Sequence, residues 1–153
     1  MSADARIEVR AVERSDHAAW LPLWRAYQAF YDIAMPPDVS ELTWSRMLDA
    51  AEPISGALAW QGPAAVGLVH YLEHRSTWSA ANVCYLQDLF VSPDARGGGI
   101  GRGLIAHVYE AADRKGYAEV YWLTHETNAT ARKLYDQVAE RTGFLHYARA
   151  PAP

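Results

Sequence analysis

The chain has 153 residues, 50% of them hydrophobic, with 14 Lys and Arg against 18 Asp and Glu and a formal net charge of -4. That length fits a single domain over 1–153 that buries roughly two thirds of its unfolded surface, and the composition excludes disorder. No apolar run reaches the ~18 residues of a membrane span. "MSADARIEVR" lacks a leader's apolar stretch, the lone Cys84 excludes an internal disulfide, and the acidic balance argues against nucleic acid. A cytoplasmic protein with neither membrane nor nucleic-acid partner is expected.

In chain order, Arg6 to Val12 alternates as a first strand. Trp20, Leu23, Trp24, Tyr27 and Tyr31 recur at helical spacing, with Ser15 or Asp16 as a cap. "MPPD" breaks that helix. A short second one follows, with Val39, Leu42, Trp44 and Leu48 mostly inward. "GALAWQGPAAVGLVHYLEH" reads as a hairpin turning near "QGP". "NVCYLQDLFVS" is a strand, Gly99 to Lys115 a helix, "AEVYWLTH" a strand, "TNATARKLYDQVAERTG" a helix ended by Gly143, and "FLHYARA" a last short strand. Three strands in a row favour antiparallel pairing, and the strand–helix–strand step favours a parallel crossover. The fold class is α+β, a mixed and mostly antiparallel sheet with helices on both faces. Between Ala26 and Trp60, Arg46 is the one base against Asp32, Asp38, Glu41, Asp49 and Glu52. This is either a solvated helix face or a rim that draws in cations.

The most informative stretch is "VSPDARGGGIGRGL", which sets five glycines within seven residues against a helix with the stripe Ile100, Leu104, Val108 and Ala111. A helix start leaves N–H groups without partners and carries partial positive charge. Glycines let an anion approach that backbone. A P-loop fails for want of Gly–Lys–Ser/Thr, and a dinucleotide fingerprint fails because Arg102 and Leu104 stand where glycine is required.

Arg96-x-x-Gly99-x-Gly101 directly after "LFVSP" resembles the acyl-coenzyme-A signature of the GNAT superfamily of N-acetyltransferases. "YLQDLFVSPDARGGGIGRGL" and "WLTHETNATARKLYDQVAERTGF" look most like its histone and polyamine branch. The resemblance implies the GNAT fold and acetyl-coenzyme A as cofactor. It implies a pyrophosphate seat on Arg96, Gly97, Gly98, Gly99, Ile100, Gly101 and Arg102, with Gly103 alongside. It further implies a pantetheine arm laid along Leu89, Phe90 and Val91, contacts at Asn128 and Ala131, and a homodimer. No metal is implied.

Acyl transfer to an amine needs a neutral amine, a polarised carbonyl and a protonated leaving thiol. By resemblance Tyr135 donates to the departing thiolate, since a phenol near pKa ~10 stays protonated at neutral pH. Its alternative is a core aromatic beside Ala131 and Val138. Related chains often carry Glu where Gln87 stands, and Gln87 cannot be a base. Asp88 is the candidate base, although strict alternation points it to the opposite face unless a bulge rotates it back. A structural acid is equally open, and Glu73, His70 and His74 are further candidates. A lysine-like amine is neutral in roughly one of a few thousand molecules at pH 7, an α-amine in about one of ten, so a weak base favours α-amines. The acidic rim favours polyamines or lysine side chains. Tyr27, Tyr31, Gln87 and Trp78, with Arg75, are candidate acceptor contacts. The alternative activity is a non-catalytic acyl-coenzyme-A-binding module.

Overall fold

The computed structural model describes residues 6–153; Met1 to Ala5, half of the stretch read as lacking a leader, lie outside it. The chain divides into two compact units, one ending at Tyr121 and one covering Trp122–Pro153.

The first unit is built on a five-stranded sheet in the order β1-β2-β3-β4-β5. β1 (Ile7–Ala11), β2 (Ile54–Gln61), β3 (Ala64–His74) and β4 (Val83–Val91) pair antiparallel, and β5 (Val120–Tyr121) pairs parallel with β4. The expected hairpin is β2–β3, turned at Gly62 with φ 59°. The fifth strand is much shorter than "AEVYWLTH" suggests.

Helices α1 (His17–Phe30) and α2 (Pro37–Met47) cover one face of this sheet. Their core joins Trp20, Leu23, Trp24 and Trp44 to Leu58, Leu68 and Phe90. Burial of these large side chains is the dominant stabilising contribution, roughly 1.5–3 kcal/mol each before entropy. On α2 the inward stripe is Ser40 and Trp44. Val39 and Leu42 are exposed instead, because the Trp24 indole N–H donates to Ser40 Oγ at 3.1 Å and turns that face in. Asp16 precedes α1 but does not cap it. Its carboxylate accepts from Glu13 N–H and from Arg10 Nη1, both at 2.8 Å.

The other face carries α3 (Ile100–Lys115), whose stripe Ile100, Leu104, Ile105, Val108, Ala111 and Ala112 is buried as its spacing predicts. The helix ends at Gly116 in the left-handed conformation, satisfying its last carbonyls. Gly67 lets α3 lie close to the sheet. A Cβ there would sit 3.0 Å from Phe90 O and 3.1 Å from Leu104 Cδ1.

The second unit contains α4 (Ala129–Val138), shorter than the sequence pattern suggests because Ala139 is extended. No strand forms over Phe144 to Ala150. A strand needs a ladder partner, and among the described residues none pairs with this segment, so Phe144, Leu145 and Tyr147 are exposed.

Candidate active site

Two features of the first unit meet on β4. One is a bulge. His70 pairs with Asp88 and Tyr71 with Leu86, so Gln87 is the extra residue with no partner on β3. Without it, Asp88 would share the α3 face with Leu86. With it, Asp88 turns to the α1 face beside Phe90 and across from His70. Gln87 is left exposed.

The bulge places Asp88 at the head of a polar chain. Asp88 Oδ2 lies 3.0 Å from His70 Nδ1. His70 is buried, and its Nε2 lies 2.9 Å from the Trp20 indole nitrogen. Indole N–H only donates, so Nε2 accepts and the ring proton sits on Nδ1, aimed at the carboxylate. From α1 the Tyr27 hydroxyl also bonds toward Asp88 and toward Tyr31. Burial first, then the Asp88 charge, pushes the Tyr27 phenol far above its ordinary range, so it stays a donor. The Tyr27 and Tyr31 rings meet edge to face at 5.0 Å. The Asp88 side chain keeps 16% of its surface exposed, enough for an amine to reach it. On the far flank Tyr85 lies close enough to feel the Asp88 charge and stacks on Tyr121 at 5.0 Å.

The other candidate bases are engaged elsewhere. Glu73 pairs with Cys84, toward the α3 face. A bond from Tyr117 first, then one from Asn82, hold its carboxyl below the ordinary range. His74 Nδ1 donates to Arg75 O at 2.7 Å, leaving Nε2 to accept from the Tyr121 hydroxyl at 2.8 Å. Trp78 is 97% exposed in the β3–β4 loop and is not drawn into the Asp88 cluster. Of the acidic rim, Glu41 binds His17 at 2.8 Å and Asp49 accepts from Ala51 N–H at 2.9 Å, so both have local roles.

The second feature is the open start of α3. Gly97 and Gly99 have φ of 89° and 76°, and a Cβ on either would meet nothing within 4 Å. Gly99 precedes the helix and has no side chain to cap it, and the first turn closes with Gly103 N–H to Gly99 O at 3.0 Å. An uncapped helix start facing open space suits a phosphate. Arg96 flanks it, its Nε donating to Val91 O at 3.2 Å and its guanidinium 5.9 Å from the Phe30 ring. The Ile100 and Phe90 side chains are in the core, so only their backbones can serve a ligand. β4 pairs with β5 only at Cys84 and Tyr85. Among the described residues no strand covers that edge of β4 over Leu89 to Val91, and an extended ligand arm could lie there.

In the second unit Asn128 caps α4, its Oδ1 accepting from Ala131 N–H at 3.3 Å. Tyr135 lies on the same helix, its ring 5.4 Å from Trp122. The partnership of Trp20 with His70 does not follow from the sequence patterns. Its signal is an indole N–H at a core position, which demands an acceptor.

The acetyltransferase (GNAT) family model matches residues 18–139. The chain is 42% identical over 146 residues to a D-amino-acid N-acetyltransferase of Saccharomyces cerevisiae, covering 94% of this chain and 91% of that protein. It is 39% identical over 85 residues to a thialysine N-epsilon-acetyltransferase of Bos taurus, covering 56% of this chain and 49% of that protein. An aminoglycoside N-acetyltransferase solved with coenzyme A superposes with a TM-score of 0.84 at 19% identity, covering 99% of both chains.

Proposed function

We propose, from the premise that this chain belongs to the acetyltransferase (GNAT) family, that its acceptor is the α-amino group of a free amino acid, D-enantiomers included, and that Asp88 takes the amine's proton. The protein is an acetyl-coenzyme-A-dependent N-acetyltransferase. Bound acetyl-coenzyme A supplies the acetyl thioester. The glycine-lined start of α3 fits its pyrophosphate, with Arg96, Gly97, Gly98, Gly99, Ile100, Gly101 and Arg102 as the residues that would hold it. The open edge at Leu89, Phe90 and Val91 would take the pantetheine arm.

The observation that carries the acceptor side is the bulge that turns Asp88 out of the α3 face and into contact with Tyr27 and His70. As the amine nitrogen bonds to the acetyl carbon and the carbon–sulfur bond breaks, one proton leaves nitrogen and one is needed at sulfur. Asp88 receives the first and returns it to solvent. Tyr135 gives the second and regains it from water. Asn128 and Ala131 order the start of the helix that carries Tyr135. Tyr27 and Tyr31 line the approach of the neutral amine, and Gln87 offers it a neutral amide.

A carboxylate is a weak base for an amine. At pH 7 about one α-amine in ten is already neutral, against roughly one lysine-type amine in a few thousand. That asymmetry, together with the yeast relative, favours the amino acid over the polyamine. We place the protein in the cytoplasm as a homodimer, the exposed Phe144, Leu145 and Tyr147 favouring a second copy. Thiol release from acetyl-coenzyme A across D- and L-amino acids, spermidine and lysine peptides tests the assignment. D-amino acids should turn over fastest, and turnover confined to spermidine or peptides overturns the acceptor.

A further inference from the structure

We infer that His70 and Trp20 act as a positioning pair for the reaction, Trp20 fixing the His70 tautomer so that the ring holds the Asp88 carboxylate toward the acceptor. The inference rests on the reading of Asp88 as the proton acceptor.

The geometry leaves His70 one arrangement. Its ring lies 4.9 Å from the Trp24 ring, its Cδ2 lies 3.5 Å from where a Cβ on Gly56 would stand, and Met47 crowds the same position from α2. In that wall the two ring nitrogens have one polar partner each, Trp20 at 2.9 Å and Asp88 at 3.0 Å. Trp20 is 0% exposed, so its N–H has no water to turn to. A buried donor left without an acceptor is costly, which holds Nε2 in its accepting role. The proton is thereby kept on Nδ1, where the ring donates to Asp88 Oδ2. The ring has no lone pair facing Asp88, so a proton taken by the carboxylate cannot be relayed inward and must leave toward the substrate side. With Oδ2 tethered by His70 and Tyr27 reaching the carboxylate from α1, Asp88 is held from two elements while its remaining lone pairs stay available. The chain Trp20–His70–Asp88 thus runs from the core to the surface through one defined orientation.

The test has a readout free of catalysis. Nitrogen-15 NMR of histidine-labelled protein without ligands should show His70 protonated on Nδ1 and bare on Nε2. In Asp88→Ala, where Trp20 is the ring's remaining polar partner, the proton should stay on Nδ1, and in Asp88→Ala combined with Trp20→Phe the two tautomers should mix. The opposite tautomer in the wild type, or mixed tautomers in Asp88→Ala alone, overturns the inference. Two variants then separate positioning from packing. His70→Asn keeps an N–H near the Nδ1 position, and His70→Gln keeps a polar group near Nε2 but loses the donor to Asp88. Each breaks one buried bond, so their melting temperatures should fall alike. With a D-amino acid acceptor, kcat should fall about tenfold or more in His70→Gln and only about threefold in His70→Asn, with KM for acetyl-coenzyme A unchanged in both. Equal losses of kcat in the two variants overturn the inference even where Asp88→Asn is inactive. Full activity in Asp88→Asn overturns the base assignment instead, and with it the catalytic purpose of the pair.

Discussion

The bulged stretch of β4 and the start of α3 beyond its C-terminal end solve opposite problems by opposite means. At Asp88 the working group is a side chain, held by side chains from α1 and β3 in a crowded, bonded setting. At the start of α3 the groups on offer are backbone N–H donors, and Gly97 and Gly99 set no side chain before them. A group that must accept a proton from one direction is best fixed by many partners. A seat for a phosphate works best when nothing stands in front of it. The comparison predicts that damage at one end changes turnover and damage at the other changes cofactor affinity.

The largest effect is expected at the crowded end. Asp88→Asn keeps the shape and most hydrogen bonds but removes the proposed proton acceptor. It should lower kcat by about a hundredfold, with KM for acetyl-coenzyme A unchanged in steady-state assays. A parallel rise in that KM would erase the division between the two ends. Tyr135→Phe removes the proposed proton donor and should cost kcat about tenfold or more, again sparing cofactor affinity. Turnover equal to the wild type would leave Tyr135 without a role in the chemistry.

The open end should answer in the other parameter. At Gly99, φ is 76°, a conformation costing a side-chain-bearing residue roughly 1–2 kcal/mol. Gly99→Ala should therefore raise KM for acetyl-coenzyme A about tenfold while kcat at saturation stays within about twofold. A calorimetric titration with coenzyme A would check the affinity without turnover. Tight binding in the variant would mean that the glycine serves only the turn.

The same contrast explains what is legible in the sequence. A backbone seat leaves its mark as glycines at fixed spacing, so Arg96 to Gly101 stands out from the order of residues alone. The stripes of α1 and α3 are legible because helical spacing repeats every three to four residues and the core is continuous. The Asp88 cluster leaves no such mark. Its face depends on one unpaired residue, Gln87, and its partner His70 lies 18 positions away, brought across by strand register. Alternation alone sends Asp88 to the wrong face. The α2 face departs from its pattern for a related reason. Apolar Val39 and Leu42 read as inward-facing, yet a buried indole calls for the Ser40 hydroxyl there instead. The expected strand at Phe144 does not form because alternation describes a strand's faces and says nothing about whether an edge exists to receive it.

The smallest effect concerns a more deeply buried carboxylate and sharpens the comparison by being silent in catalysis. Asp16, like Asp88, meets a nitrogen donor beside α1, but its donors are Arg10 and a backbone N–H. The Arg10 bonds are the main reason its carboxyl titrates below the ordinary range, opposed in part by burial. A lowered folded-state pKa means the ion pair's contribution is complete above the unfolded value near ~3.9. It is lost as pH falls through the lower folded value. Asp16→Asn should thus cost about 1–2 kcal/mol at neutral pH, kept modest because the Arg10 side chain remains 35% exposed to water. The gap between variant and wild-type melting temperatures should narrow as pH falls below the unfolded carboxylate range. Neither kcat nor the KM for acetyl-coenzyme A should move at neutral pH. A fall in kcat comparable to that of Asp88→Asn would mean that any carboxylate against α1 supports turnover, and the special place given to the bulged residue would be lost.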